Sequence, residues 1–285
     1  NLQVQISALR KLLGPQAIVT IPGRGYRFAA ALAPSAGAAM PPLPTAAVPA
    51  APTRGALRTN LPGDLPRLFG RDDDLAALCG LVRTHKLTTI VGAGGIGKSR
   101  LAQAAAARVG EHWSDGAWMI ELAGLSDPAL IANTIARELA LPDLRGGTVD
   151  ELASALAERS LLLVLDNCEH LLDAVAHAVQ AILATARGVT VLTTSQEPLR
   201  LPDEQQYRVA PLAVPAQACD PNARDCGALA LFEARVRAVD PRFTLRDEDL
   251  ALAIDICRRL DGLPLAVELA AARVGTLGLR AVYEK

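Results

Sequence analysis

The chain has 285 residues, a formal net charge of −1 and a composition that is 51% hydrophobic but only 3% aromatic. This length favours two or more domains, with cores built from Leu, Val, Ile and Ala. No apolar run reaches the roughly 18 residues of a membrane span, and the five cysteines form no C-x-x-C pair, so neither a membrane protein nor a zinc or disulfide framework is indicated. We expect a cytoplasmic protein with reduced thiols.

The first 30 residues predict the end of a domain whose beginning is missing. Apolar residues at helical spacing predict a helix over 1–13, and β-branched and aromatic residues predict strands over 18–21 and 26–28. No acidic residue precedes Asp64, whereas six Arg and Lys residues do, which leaves −7 for the rest of the chain. Such a basic end indicates a polyanionic partner for this segment, although six charges over about sixty residues are sparse. The polar face of the predicted helix could enter a major groove, and a solvated amphipathic helix is the alternative.

Residues 31–60 are rich in Ala and Pro and predict a linker. Beyond it, helices and strands alternate, which predicts an α/β fold with a parallel sheet flanked by helices. After residue 215 the strand signals end, and a small all-α domain is predicted. In chain order, the predicted elements are helix 72–82, strand 87–91, helix 101–109, strand 117–121, helices 128–140 and 149–159, strand 161–165, helix 171–186, strands 189–194 and 207–209, and helices 224–239, 247–260 and 264–274.

A glycine-rich stretch, GAGGIGKS at residues 92–99, matches the phosphate-loop pattern G-x-x-x-x-G-K-[ST] between a predicted strand and helix. Backbone N–H groups at a helix N-terminus favour an anion, and glycines let the backbone wrap closely round it. We expect Lys98 to reach the β- and γ-phosphates and Ser99 to bind Mg²⁺; a turn that matches by chance is the alternative. The nucleotide-binding residues predicted here are Gly92, Gly94, Gly95, Ile96, Gly97, Lys98, Ser99 and Arg100.

Asp166 follows the apolar run LLLVL, so we expect a carboxylate at the carboxyl edge of a buried strand. Near a phosphate loop, we expect such a group to hold Mg²⁺ through water, and Asp166 and Glu169 are the two catalytic candidates. A strand-end Asp that caps a turn is the alternative. Asn167 is no base, so Glu169 is the candidate for orienting an attacking water, and slow turnover is expected. Polar residues 193–196 end the next strand and are candidates for γ-phosphate contact.

The motifs VQISALRKL (4–12) and TIPGRGYRF (20–28) resemble the end of a winged helix of the OmpR/PhoB type. The resemblance covers the last third of such a domain. It implies a recognition helix in the major groove of double-stranded DNA and a wing at the minor groove. Pro22 stands where many relatives have a basic residue. The DNA-binding candidates that the resemblance implies are Asn1, Ser7, Arg10, Lys11, Thr20 and Arg24.

From about residue 60 onward, the chain resembles the STAND class of signalling NTPases with an NB-ARC-like module. The motifs that carry this resemblance are NLP (60–62), LFGRD (68–72), the phosphate loop, LVLDN (163–167), TSQEPL (194–199) and GLPLA (262–266). It implies ATP or ADP held between the sheet and the helical domain, with Phe69, Gly70, Arg71 and Pro264 beside the adenine. Gln196 stands where relatives usually have an Arg that senses the γ-phosphate, and it keeps a hydrogen-bonding group without the charge.

These observations predict four regions: residues 1–30 as the end of a winged helix, 31–60 as a linker, 61–214 as a P-loop NTPase domain and 215–285 as a helical lid. The expected function is a signal-responsive transcriptional regulator in which ATP-Mg²⁺ and ADP bias two conformations. Two alternatives stay open: an ATPase that drives work on a partner, and an interaction scaffold that self-associates through the NTPase module.

Overall fold

The computed structural model describes residues 18–21, 25–28, 59–141, 144–215 and 223–284. The chain divides into two compact units, Asn1–Ala51 and Pro52–Lys285. In the first unit, β1 (Ile18–Ile21) pairs antiparallel with β2 (Gly25–Phe28), which confirms the two strands predicted there. The predicted helix over 1–13 and the predicted linker up to residue 58 lie outside the described residues.

The second unit is built around a parallel sheet of five described strands, which are β3 (Leu87–Val91), β4 (Ala117–Glu121), β5 (Leu162–Asp166), β6 (Thr190–Ser195) and β7 (Gln205–Arg208). Their spatial order is β4-β5-β6-β3-β7. The three central strands β5, β6 and β3 are buried along their whole length, as expected for continuous apolar and β-branched runs covered on both faces. The predicted α/β fold class with a parallel sheet is therefore confirmed.

Helices cover both faces of this sheet. On one face lie α1 (Asp72–Thr84) and α2 (Lys98–Val109), and on the other lie α3 (Ile131–Glu138), α4 (Val149–Ala155) and α5 (Leu172–Thr185). Side chains of a strand alternate between the faces. In β5, accordingly, Leu162 and Val164 belong to the core under α1 and α2, whereas Leu163 and Leu165 belong to the core under α3 to α5.

Two predicted helices on the second face are shorter than expected. The segment predicted as helix 128–140 is a 3₁₀ turn (Pro128–Leu130) followed by α3, because the Asp127 side chain accepts a hydrogen bond from the Ala129 N–H and Pro128 then begins a tight turn. Helix α3 ends at Glu138, and beyond it Ala140 takes a left-handed φ of 49°. Helix 149–159 ends at Ala155, although its predicted start is confirmed and capped by Thr148.

The outer strand β4 is covered at its edge by residues 59 and 60 of the same unit. The Asn60 amide donates to the Met119 carbonyl at 2.7 Å and accepts from the Met119 N–H at 2.8 Å, and Thr59 forms a parallel bridge with Ala117. An edge strand presents unpaired backbone groups that favour association with another chain. The Asn60 side chain occupies the N–H and carbonyl groups of Met119, so these two groups are not open to another strand.

A bundle of helices follows the sheet: α6 (Gly227–Val239), α7 (Asp247–Arg259), α8 (Pro264–Leu277) and α9 (Leu279–Tyr283). These helices share a separate apolar core, with Phe232 fully buried in it. The ends of α7 carry charges that complement the helix dipole, with three acidic residues in its first turn and two arginines in its last. Across the described residues, no helix is both long and apolar enough to span a membrane.

Candidate functional site

The glycine-rich loop at 92–99 joins β3 to α2 at the carboxyl edge of the sheet. Gly95 and Gly97 have φ values of 74° and 98°, a region that glycine adopts without strain. Helix α2 begins at Lys98 with Gly97 at its N-cap, three residues earlier than the predicted start at 101. The motif itself therefore supplies the first helical turn, and it presents backbone N–H groups and the positive end of the dipole to the loop.

Lys98 is almost buried, with 8% of its surface exposed. Its ammonium group donates hydrogen bonds to the carbonyl oxygens of Gly92 at 2.9 Å and Ala93 at 3.1 Å. These contacts hold a positive charge inside the curve of the loop rather than in solvent. A buried cation beside a helix N-terminus is a site that attracts an anion.

Arg71 holds the loop in place through hydrogen bonds and an ion pair. Its guanidinium group pairs with Asp74 at 2.9 Å and donates to the carbonyls of Ile96 at 3.3 Å and Ala210 at 2.8 Å. The Tyr207 hydroxyl on β7 donates to the other oxygen of Asp74. Burial, and secondly the bond to Asp74, raise the pKa of Tyr207 to about 12. This network fixes the loop relative to the strand at the edge of the sheet.

Asp166 is the last residue of β5, one position inside the strand rather than after it. Its carboxylate accepts a hydrogen bond from the Thr194 hydroxyl on β6 at 2.5 Å. The same hydroxyl oxygen accepts from the N–H of Asn167, which has a left-handed φ of 65°. Thr194 therefore fixes both the carboxylate and the direction in which the chain leaves β5.

Glu169 and Gln196 contact each other. The Gln196 amide donates to Oε1 of Glu169 at 3.1 Å. The second carboxylate oxygen, Oε2, is buried and has no hydrogen-bond partner among the described atoms. A buried, unpaired carboxylate oxygen is costly, so its position calls for a donor that comes from outside the protein. Cys168, which precedes Glu169, is fully buried and its thiol donates to the Leu165 carbonyl. Burial raises the pKa of this thiol, as is typical of a packing residue rather than a nucleophile.

The helical bundle contacts the loop through the first turn of α8. Pro264 occupies the start of this helix, where its missing N–H costs nothing. The next residue, Leu265, donates its N–H to the Gly95 carbonyl at 3.1 Å. Its side chain lies so close to Gly95 that a Cβ at that position would approach the Leu265 Cβ to 2.7 Å. Gly95 is thus required both for its φ angle and for contact with the bundle.

One turn further along α8, the Glu268 carboxylate pairs with two arginines. Its Oε1 atom lies 2.6 Å from Nη1 of Arg100 in α2 and 3.0 Å from Nη2 of Arg235 in α6. Among the ion pairs seen between described residues, Arg100–Glu268 is the one that joins the sheet layer to the bundle. No local sequence signal predicts it, because its partners are 168 positions apart.

A cavity of about 270 Å³ lies between the loop, the segment 67–71 and the bundle. The structure brings most of the predicted nucleotide-binding residues into its wall. Gly70, Gly92, Asp166 and Gln196 are not in that wall, and Leu265 and Glu268 line it without having been predicted. The predicted residues that line the cavity are Phe69, Arg71, Gly94, Gly95, Ile96, Gly97, Lys98, Ser99, Arg100, Glu169, Thr194 and Pro264.

The residues predicted to hold Mg²⁺ offer suitable chemistry. Ser99 has an exposed hydroxyl, and Asp166 is a carboxylate at 6% exposure whose orientation is fixed by Thr194. Mg²⁺ prefers oxygen ligands and is commonly held by one or two carboxylates together with phosphate oxygens and water. The donor set therefore fits this ion. No cluster of three or more His, Cys, Asp or Glu side chains that suits a metal occurs in the described part of the chain.

The residues predicted to contact DNA fall in the first unit. Thr20 lies in β1, where the backbone alone is described. The remaining five are Asn1, Ser7, Arg10, Lys11 and Arg24, and they lie outside the described residues. Their role stays a prediction.

Comparison with known proteins agrees with the geometry of the loop and the sheet. Residues 82–200 match the sequence model of the AAA domain family. The match takes in less than half of the chain, so this part is similar to AAA domains, and the sheet with its loop has a P-loop NTPase-like fold. A Walker-type ATPase of Pyrococcus abyssi superposes with a TM-score of 0.55 at 12% identity, over 76% of this chain and 71% of the archaeal chain, and this likeness supports the fold alone.

Two relatives come from Mycobacterium tuberculosis. The protein named "Putative HTH-type transcriptional regulator Rv0890c" is 40% identical over 199 residues, which are 69% of this chain and 21% of the relative. The uncharacterized protein Rv0894 is 36% identical over 214 residues, which are 75% of this chain and 52% of the relative. The chain thus spans about a fifth of the first relative and about half of the second.

Proposed function

We propose that the cavity binds ATP or ADP and that the bound nucleotide sets the arrangement of the helical bundle on the sheet. One observation carries this proposal: Lys98 is held inside a glycine loop at the N-terminus of α2, at the carboxyl edge of a parallel sheet. In open parallel sheets, that edge is where ligands bind, and the loop's N–H groups are suited to phosphate.

In this proposal, the phosphates lie on residues 92–100, where Lys98 neutralises charge on the β- and γ-phosphates. The base lies beside Phe69, Gly70, Arg71 and Pro264. The positions of Phe69, Arg71 and Pro264 in the cavity wall support this assignment. Gly70 has a φ of 59° and packs against Gly227, so it turns the chain between Phe69 and Arg71, the two neighbours that line the cavity.

Ser99 and Asp166 would hold Mg²⁺ with the nucleotide, and the ion would neutralise charge on the phosphate oxygens. Glu169 is the residue that would orient an attacking water, which the unpaired Oε2 atom supports. Gln196 holds the other oxygen of Glu169 and so positions it. Because a neutral Gln stands at this place, we expect slow hydrolysis that acts as a timer for the switch rather than as a source of work.

We further propose that the nucleotide controls a DNA-binding regulator. The name of the 40% identical relative supports this, as does the winged-helix motif at residues 4–28. The major groove would be contacted by Asn1, Ser7, Arg10 and Lys11, and the wing would use Thr20 and Arg24. A form of the protein with a complete winged helix should bind duplex DNA with an affinity that falls steeply with salt. Absence of binding at low salt would refute this part of the proposal.

The nucleotide assignment is tested by the Lys98→Ala variant in calorimetric titrations with ADP and ATP. We expect binding to become undetectable, because the variant loses the cation that neutralises the phosphates. Lys86→Ala is the matched control, since Lys86 precedes the same strand and its ammonium group contacts the Arg187 carbonyl, away from the loop. Equal affinities of Lys98→Ala and the unchanged protein would overturn the proposal.

A further inference from the structure

Arg67 differs from the other positive side chains that line the described wall of the cavity. Arg71 and Arg100 each pair with a carboxylate, and Lys98 donates to carbonyl groups of the loop. No hydrogen bond or ion pair joins Arg67 to another residue in the part of the chain that the structure describes. Its guanidinium carbon, Cζ, lies 5.1 Å from the centre of the Phe69 ring. Within the described wall, this guanidinium therefore keeps its donors available to a ligand.

The Phe69 ring gives the Arg67 side chain a defined place. Phe69 is half-buried and packs against the apolar core of the bundle, whereas Arg67 is exposed. The face of an aromatic ring attracts a cation, and the planar guanidinium group can stack on flat rings, which an ammonium group cannot do. Arg67 is thus an exposed cation that an anchored ring holds at the rim of the cavity.

The order of the strands separates two ends of the cavity. Strands β5 and β6 lie on one side of β3 and carry Asp166 and Thr194, whereas β7 lies on the other side. Arg71 donates to the carbonyl of Ala210, just beyond β7, so segment 67–71 is fastened on the β7 side of the loop. A nucleotide whose phosphates and Mg²⁺ lie towards Asp166 would therefore extend its nucleoside half towards segment 67–71.

We propose that Arg67 is a nucleoside-binding residue that covers the base at the β7 end of the cavity. This inference rests on the proposed function of the cavity as a nucleotide site. The guanidinium plane stacks on the base while Phe69 holds it in place, and its free N–H groups donate to ring nitrogens. A purine offers the larger face, so this contact favours purine nucleotides. The phosphates are left to Lys98 and the N–H groups of the loop.

The test separates the two halves of the nucleotide. Dissociation constants of ADP and of inorganic pyrophosphate, both with Mg²⁺, are measured for this chain and for Arg67→Ala by displacement of a fluorescent ADP analogue. We expect the ADP constant to rise about five- to tenfold, the size that loss of a cation–π or stacked contact implies. The pyrophosphate constant should stay within about twofold, because pyrophosphate has no base for Arg67 to cover.

Arg67→Lys separates the plane of the side chain from its charge. Lysine keeps the positive charge but has no plane to stack on a base. We therefore expect this variant to lose about as much ADP affinity as Arg67→Ala. Full ADP affinity in Arg67→Lys would show that charge alone is sufficient and would overturn the stacking role.

Arg83→Ala is the matched control. Arg83 is an exposed arginine in the last turn of α1, and it does not line the described wall of the cavity. Both dissociation constants should stay within about twofold in this variant, since the lost charge is remote. An unchanged ADP constant in Arg67→Ala, or an equal rise of both constants, overturns the inference while the nucleotide site stands. Failure of the unchanged chain to bind either ligand overturns the proposed function as well.

Discussion

The Thr194 hydroxyl on β6 donates a hydrogen bond to the Asp166 carboxylate at the end of β5, over 2.5 Å. The same oxygen accepts the Asn167 N–H at 2.9 Å. The Thr194 side chain is thus the hydrogen-bond partner of both the Asp166 carboxylate and the backbone N–H of Asn167. Supporting contacts of this kind orient metal-holding carboxylates in many proteins.

Replacement of Thr194 by Val should therefore weaken Mg²⁺ binding. Val has the same shape but can make neither bond, so Asp166 loses its fixed orientation. We expect the affinity of the nucleotide-bound chain for Mg²⁺ to fall roughly tenfold, with a smaller change in ADP affinity in the absence of Mg²⁺. The stability should fall by about 1–3 kcal/mol, because the Asn167 N–H loses its partner. Fluorescence titration of Mg²⁺ and thermal unfolding measure the two effects.

Thr193→Val is the control for this variant. Thr193 precedes Thr194 on β6 and donates to the Thr89 hydroxyl at 2.8 Å within the sheet. Its loss should lower stability without a change in Mg²⁺ affinity. If the two variants bind Mg²⁺ equally well, Thr194 has no part in orienting Asp166.

Gly262 controls the approach of α8 to the cavity. Its φ is 63°, and a Cβ there would lie 2.2 Å from the Leu212 carbonyl oxygen. Gly262→Ala should lower the free energy of unfolding by roughly 2–4 kcal/mol, because it adds backbone strain to a clash with backbone. Gly80→Ala, in the exposed interior of α1 with nothing within 4 Å of its Cβ, should instead raise it by about 0.5–1 kcal/mol. Denaturant titration measures the free energy of unfolding of both variants. Equal values for Gly262→Ala and Gly80→Ala would contradict the need for glycine at position 262.

Tyr207 should show an alkaline stability effect. Its pKa is raised to about 12 by burial and then by Asp74, against an ordinary value near 10. Above that ordinary value the unfolded chain loses the phenol proton while the folded chain keeps it. The contribution of Tyr207 to stability is therefore complete below the unfolded pKa and is lost as the pH rises through the folded pKa.

Comparison of the chain with Tyr207→Phe isolates this titration. The difference in phenolate absorbance between the two proteins should appear near pH 12, and the stability difference between them should shrink over the same range. A difference spectrum that titrates near the ordinary value of tyrosine would refute the burial of this hydroxyl against Asp74.

The sequence predicted the sheet well because its signals are local. The runs that form β3 and β5 are apolar or β-branched along their whole length, which a strand buried on both faces requires.

The predicted first residues of some elements were less accurate. Helix α2 begins inside the glycine motif at Lys98, since the loop itself takes helical geometry there. Strand β7 begins two residues before the prediction, at Gln205, because pairing with β3 extends it through polar residues.

The cavity was predictable in part. Motif residues such as Lys98 and Pro264 stand in its wall as the resemblance implied, although their roles stay predictions. The contacts between the sheet and the bundle were not predictable. Glu268 meets Arg100 across 168 positions, and a single glutamate in a helix carries no pattern that distinguishes it from a solvated one. Only the packing of α8 on the loop identifies it.

The central claim is that a nucleotide lies between the loop and the bundle and contacts both. Amide hydrogen exchange of this chain with and without ADP-Mg²⁺ tests it most directly. We predict slower exchange at two places together, residues 92–100 and the first turn of α8 from Pro264, with no change in Lys98→Ala. Protection confined to the loop, or protection absent from both places, would contradict a nucleotide site shared by the sheet and the bundle.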